Sequence, residues 1–138
     1  PMDVYIEDSR ADSNAMAAIV QGVGYRYTNI ADSLHALPQL LELKPQLIFL
    51  DLVMQIVNGY ELCAQIRHIS MFQEVPIIIV TNNDGITDRV RSKFLGASSF
   101  LGKPITEGRT LKVIRKYLNP VDNNASDQDY FSKISPSF

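Results

Sequence analysis

Five short apolar runs punctuate the first hundred residues: DVYIE (3–7), YRYTN (25–29), LIFLD (47–51), PIIIV (76–80) and SSFL (98–101). The third and fourth are almost unbroken, the pattern of central strands covered on both faces. Between and after the runs the apolar positions change to a helical rhythm. Met16, Ile19, Val20 and Val23 mark a first helix, and Leu34, Leu37, Leu40 and Leu41 a second. Leu62, Cys63, Ile66 and Ile69 mark a third, and Val90, Phe94 and Leu95 a shorter fourth. Leu111, Ile114 and Leu118, flanked by Val113 and Tyr117, mark a fifth. Each set keeps the i, i+3, i+4, i+7 spacing of one buried helix face. Ser13 and Ser33 are expected to cap the first two helices, and Thr106 the last. Gly22, Gly24 and Gly96 follow helical segments, where a left-handed residue is wanted. Pro45 and Pro120 stand where helices should stop, and Pro76 at the mouth of a strand.

Five alternating strand and helix units predict an α/β fold with a parallel sheet between two helical layers. For 138 residues the natural form is a flavodoxin-like (βα)5 three-layer sandwich with strand order 2-1-3-4-5. The domain is expected over residues 1–119. From Val121 the chain turns polar with scattered aromatics, so 120–138 is expected to be a flexible tail or linker.

Composition narrows the classes. Hydrophobic residues make up 46% and charged residues 20%, as in soluble globular domains. No apolar run approaches the ~20 residues of a membrane span, so no membrane partner is expected. Pro1 to Asp8 has no basic start and already reads as a strand, so no secretory signal is expected. A single cysteine, Cys63, allows no internal disulfide or cysteine metal cluster and fits a reducing cytoplasm. It falls on a core-facing stripe, where an inert thiol is expected. His35 and His68 fall on helices away from the strand ends, as solvated surface residues. The net charge of −2 gives no argument for nucleic acid. Only 18 residues follow Pro120 and they hold one lysine, so no DNA-binding domain is expected there.

Charge is unevenly spread. Up to Asp51 there are seven acidic residues against three basic, and ten of the thirteen Lys and Arg come after residue 60. Solvated helix faces account for this; an acidic site early and a basic partner surface late is the sharper reading. In this topology functional groups gather at the carboxyl ends of the strands. Glu7-Asp8 ends the first, Asp51 the third, Thr81 the fourth, and Lys103-Pro104 follows the fifth. Singly, each is an ordinary turn or cap residue; together they bring carboxylates, a hydroxyl and an ammonium to one edge. Clustered carboxylates need a compensating cation, and oxygen ligands with room for water suit Mg²⁺. Phosphoryl transfer asks for little beyond positioning and charge stabilisation. Asp51 would serve as nucleophile, with Lys103 and Thr81 contacting phosphoryl oxygens.

Over residues 2–119 the chain resembles the response-regulator receiver domains of two-component signalling, of the single-domain chemotaxis type. The resemblance rests on Glu7-Asp8, Asp51, Gly59 eight residues later, Thr81, Phe100 and Lys103-Pro104. It rests also on spacings of 43 residues from Asp8 to Asp51, 30 to Thr81 and 22 to Lys103. The segment FLDLVM…NGYELCAQIR further resembles cyanobacterial receivers tied to pilus motility, phototaxis or cell patterning. The resemblance implies phosphoryl transfer to Asp51 from a histidine kinase or histidine phosphotransfer protein. It implies Mg²⁺ held by Asp8, Asp51 and the main-chain oxygen of Val53, with Glu7 acting through water, and a cis Lys103–Pro104 bond. It couples Thr81 to Phe100 as the switch. It makes the protein a stoichiometric phosphoacceptor, which promotes its own phosphorylation and dephosphorylation, rather than an enzyme. The reporting surface would be the fourth helix, fifth strand and fifth helix, with Arg89, Arg91, Lys93, Lys112, Arg115 and Lys116. A downstream protein or a second copy would dock there.

The sequence departs from the family pattern at Gln55, where proline is usual, at Asn82, where Ala or Gly is common, and at Glu7, where Asp is common. Asn82 is large enough either to narrow access to Asp51 or to hydrogen-bond its phosphate. Val53 and Asn83 occupy positions that tune phosphate hydrolysis in the family, and Val53 has no group to orient a water. A long-lived phosphoryl state is therefore expected. An aspartate phosphatase would need a second Asp at position 53. A flavodoxin would need a glycine-rich phosphate loop where EDSRADS stands. The remaining alternative is a phosphate-independent docking module, although no acid, Thr or Lys is lost.

Overall fold

Strand β1 (Met2–Ile6) lies between β2 (Arg26–Ile30) and β3 (Leu47–Asp51) in the computed structural model, followed by β4 (Ile77–Thr81) and β5 (Ser99–Gly102). All four pairings are parallel, and the order is 2-1-3-4-5, as the alternation of elements predicts. The structure describes residues 1–118 other than Gln55, Asn83 and Asp84. The expectations for Gln55, Asn83 and the 120–138 tail lie outside the described residues.

β3 and β4 are buried at every position, which is why their sequences carry no polar alternation. Helices α1 (Arg10–Gly22), α2 (Ala36–Leu43), α3 (Gly59–Arg67), α4 (Ile86–Phe94) and α5 (Glu107–Leu118) cover the two faces. One core joins Val4, Ile6, Ile48, Leu50 and Ile79 to Leu40 of α2 and Leu62, Cys63 and Ile66 of α3. The other joins Tyr5, Leu47, Phe49, Ile78 and Val80 to Met16 and Val20 of α1 and Leu111 and Ile114 of α5. The split follows from strand alternation, since successive side chains leave opposite faces of the sheet.

Several local expectations are corrected. Ser9, not Ser13, caps α1: its side chain accepts the Asp12 N–H at 3.3 Å. Ser13 is buried, and its hydroxyl meets that of Tyr27 at 2.9 Å. Ser33 opens a short 3₁₀ turn (Ser33–His35) ahead of α2. Leu34, Leu41, Val23 and Val90 are exposed, so the buried stripe of α2 is Ala36 and Leu40 with Leu37 and Leu43 at its edge. α2 has only about two turns, and its core-facing positions are these four. His35 and His68 are exposed, and Cys63 is buried, its thiol pushed up to about 11 by that burial.

Arg67, at the end of α3, ties the bottom of the fold together. Its guanidinium donates to the carbonyls of Gly96 (2.7 Å), Phe72 (2.6 Å) and Val75 (2.6 Å), and to Ser98 Oγ (3.0 Å). Gly96 is left-handed at φ 101°, and a side chain there would press into the Arg67 stem. Both facts explain a glycine at that turn.

Candidate functional site

The carboxyl ends of β1, β3 and β4 place their next residues in one small space, because neighbouring strands run about 4.8 Å apart. Glu7 follows β1 directly and is buried. Asn29 of β2 fixes its backbone by donating to the carbonyls of Tyr5 (2.9 Å) and Glu7 (3.0 Å). The Glu7 carboxylate accepts the Ser9 N–H at 2.9 Å on one oxygen. Its other oxygen accepts the Tyr5 hydroxyl at 3.1 Å and the Lys103 ammonium at 3.3 Å.

Asp51 ends β3 and is only 2% exposed. Its Oδ1 accepts the Val53 N–H at 2.7 Å, and its Oδ2 accepts Lys103 Nζ at 2.6 Å. The loop that supplies Val53 is closed by a bridge between Val53 and Asn58, and Asn58 caps α3. Gly59 lies against the strand end, its N–H bonded to the Leu52 carbonyl at 3.1 Å. A Cβ there would overlap the Asp51 carbonyl oxygen and stand 2.5 Å from Leu52 Cα. Glycine at 59 is thus required by close approach, which is the physical content of its spacing from Asp51.

Thr81 ends β4 and is buried. Its carbonyl accepts the Lys103 N–H at 2.8 Å, which brings the β5–α5 loop to the site, and the Lys103–Pro104 bond is cis. Asp51, Val53, Thr81, Asn82 and Lys103 line a cavity of about 320 Å³. Asn82 forms part of its wall. Phe100 pairs in register with Ile79, one same-face step before Thr81, and is partly buried in the α2–α3 core. The Arg89 guanidinium lies 5.5 Å from its ring centroid.

Asp12 joins Glu7 and Asp51 of the expected metal site. The carboxylates that each offer an oxygen within 4.8 Å of the others are Glu7, Asp12 and Asp51. Asp8 is exposed and outside this trio. Asp12 sits in the first turn of α1, and Cα–Cβ bonds lean toward a helix N-terminus, so it reaches back over the strand edge. Its Oδ2 lies 2.9 Å from Lys103 Nζ. An acid one turn into the helix after β1 is the sequence signal for it, and Asp12 is not among the residues expected above. Nor is Tyr5, whose phenol donates to Glu7.

One ammonium thus faces three carboxylates. Burial alone would lower the Lys103 pKa, but the bonds to Asp51 and Asp12 outweigh it, and the ammonium is held more firmly than usual. The Glu7 pKa is raised, first by burial and then by the neighbouring Asp51 carboxyl group, against the pull of the Ser9 N–H. The excess of acids over bases makes the cup attractive to a divalent cation.

The sequence pattern of the response regulator receiver domain matches residues 4–115. The chain belongs to that family. This receiver is 28% identical to protein PilG of Pseudomonas aeruginosa over 120 residues, covering 85% of this chain and 89% of PilG. It is 28% identical to PilH of the same organism over 113 residues, covering 82% and 93%. Among solved structures, the Vibrio cholerae chemotaxis protein CheY4 superposes with a TM-score of 0.80 at 23% identity, covering 84% of this chain and 97% of that one. The receiver domain of a Syntrophus aciditrophicus signal transduction histidine kinase does so at 0.77 and 26% identity, covering 91% and 95%. The fold and the family are those expected from the strand-end residues. No helix among the described residues is long and apolar enough to cross a membrane.

On the face expected to report the switch, Arg89, Lys93, Lys112 and Arg115 are exposed. Lys116 is partly covered and lies over the Tyr117 ring at 5.1 Å. Arg91 is exposed but turns toward α3, with its guanidinium 4.1 Å from the Tyr60 ring centroid. It belongs more to the α3–α4 seam than to the face shared with α5.

Proposed function

We propose that this receiver accepts a phosphoryl group on Asp51 from a histidine kinase or histidine phosphotransfer protein and converts it into a change of protein partner. The observation that carries the proposal is the open cavity of about 320 Å³ with a buried aspartate, a threonine and a lysine on its walls. An Asp51 oxygen attacks phosphorus, an O–P bond forms, and the P–N bond to the donor imidazole breaks. The acyl phosphate adds up to about two negative charges to the strand edge. Lys103 leaves the Asp51 oxygen to pair with a phosphoryl oxygen, and the Val53 N–H, already aimed at Asp51, steadies the group. The Thr81 hydroxyl donates to another phosphoryl oxygen. That movement frees space on the face it shares with Phe100, whose ring would turn inward from beneath Arg89. The chain turns over no substrate of its own, so it acts as a stoichiometric acceptor and not as an enzyme.

The donor set suits Mg²⁺, since every ligand at hand is a hard oxygen and the excess charge is negative. Glu7 and Asp51 would hold it, with Asp8 and the Val53 carbonyl as the further oxygens that the family pattern supplies, and Asp12 adds negative charge beside them. When bound, the ion offsets the charge of the phosphoryl group.

The exposed cations of α4 and α5 suit an acidic partner or a second copy, and a cytoplasmic setting fits a kinase donor. Beryllofluoride with Mg²⁺ tests the scheme by NMR. Amide shifts at Thr81, Phe100 and Lys103 are expected, and none in Asp51→Asn. Unchanged spectra in the wild type would refute it.

A further inference from the structure

Lys103 has three protons to donate and three carboxylates to receive them. Its Nζ stands 2.6 Å from Asp51 Oδ2, 2.9 Å from Asp12 Oδ2 and 3.3 Å from Glu7 Oε2. The ammonium therefore sits inside the cup where a divalent cation would go. Two of its partners, Glu7 and Asp51, are buried residues that the ion and the phosphoryl group need. The third differs. The Asp12 side chain is 33% exposed and stands on a helix rather than at a strand end. Its own main chain is fixed by the Ser9 cap.

We infer that Asp12 is a positioning residue that holds Lys103 while Asp51 and Glu7 are given over to the metal ion and the phosphoryl group. This rests on the phosphoacceptor reading above. A lysine expelled from two of its three partners would otherwise lose its ion pairs within a partly buried pocket, which is costly. It would either compete with the ion for Asp51 or swing out to water, where it no longer meets the phosphoryl oxygen. Asp12 provides a fixed alternative 2.9 Å away, so that the ammonium stays beside Asp51 without blocking it. A neutral side chain at 12 would leave Lys103 to hold Asp51 and Glu7 more tightly, and metal binding would have to break that pairing.

The test is a double-mutant cycle read as Mg²⁺ affinity by calorimetry, with no turnover involved. Asp12→Asn is made in the wild type and in Lys103→Met. If Asp12 acts through the lysine, Asp12→Asn weakens Mg²⁺ binding in the wild type by about fivefold more than in Lys103→Met, the size of an ordinary contact coupling. Equal weakening in both backgrounds would overturn the inference, since Asp12 would then act on the ion directly or through space. No weakening in either would overturn it as well. Asp51→Asn separates the layers. If the wild type binds Mg²⁺ and Asp51→Asn does not, the site reading stands whatever Asp12 does. If the wild type binds none, the site reading itself falls. Thermal melts without Mg²⁺ confirm that each variant is folded.

Discussion

Asp3 is a carboxylate that the phosphoacceptor chemistry does not use, and its position makes a quantitative prediction. It lies on β1 in register with Tyr27 and Leu47, on the apolar face packed by α1 and α5, and is fully buried. Neither carboxyl oxygen has a hydrogen-bond partner among the described residues. Burial pushes its pKa from 3.8 up to about 7, and the amino terminus at Pro1 draws it back only in part. Above 3.8 the unfolded chain releases this proton while the folded chain keeps it until about pH 7. Rising pH therefore favours unfolding across that window and has no further effect through Asp3 beyond it. At 1.36 kcal/mol for each tenfold change in proton affinity, the cost reaches about 4 kcal/mol above pH 7 and about 3 kcal/mol at pH 6. Asp3→Asn removes the charge and keeps the shape, while other titrations cancel in the comparison. Urea unfolding of both proteins at several pH values should show the variant's advantage growing from near pH 4 to pH 7 and then levelling. A stability gap that does not change with pH would refute the reasoning, and would mean that the carboxylate finds a partner or water in solution.

Other consequences can be checked in the same material. Gly59→Ala places a methyl against the Leu52 and Asp51 main chain and should cost about 1–3 kcal/mol as overpacking. Because the strain falls at Asp51, Mg²⁺ affinity should fall with stability, and unchanged affinity would contradict the close-approach argument. Arg67→Lys cannot reach Gly96, Phe72, Val75 and Ser98 together, and should destabilise by about 3 kcal/mol or more on urea unfolding. With Val53 exposed beside Asp51 and offering no group to orient water, the phosphoryl state should be long-lived. Loss of radiolabel within seconds at neutral pH would contradict this. If the α4–β5–α5 face reports the switch, Lys112→Glu with Arg115→Glu should abolish any association that beryllofluoride induces, as followed by sedimentation.

Much of the fold was legible because two periodicities carry it. The unbroken apolar runs of β3 and β4 identify central strands, and the five alternations leave few topologies. Element ends were less legible: β1 runs Met2–Ile6 and β4 runs Ile77–Thr81, each one residue from the pattern-based bounds. Such ends are set by pairing partners rather than by local composition. Ser13 was mistaken for a cap because a hydroxyl near a helix start reads alike whether it faces its own backbone or, as here, Tyr27. Leu34, Leu41 and Val90 fit a helical stripe, yet tertiary placement leaves them exposed. At the site, Asp51, Thr81 and Lys103 were legible because each ends or follows a strand. Asp12 was not, because its contribution depends on how α1 rests over β1, and Tyr5 was hidden because a buried aromatic on a strand reads as core.

The most direct test of the central claim is the intact mass of the protein after incubation with acetyl phosphate and Mg²⁺, beside Asp51→Asn. The account predicts the gain of one phosphoryl group in the wild type, lost when Mg²⁺ is chelated beforehand and absent from the variant. No gain in the wild type under conditions where beryllofluoride also fails to bind would contradict it, and would make the chain a phosphate-independent docking module.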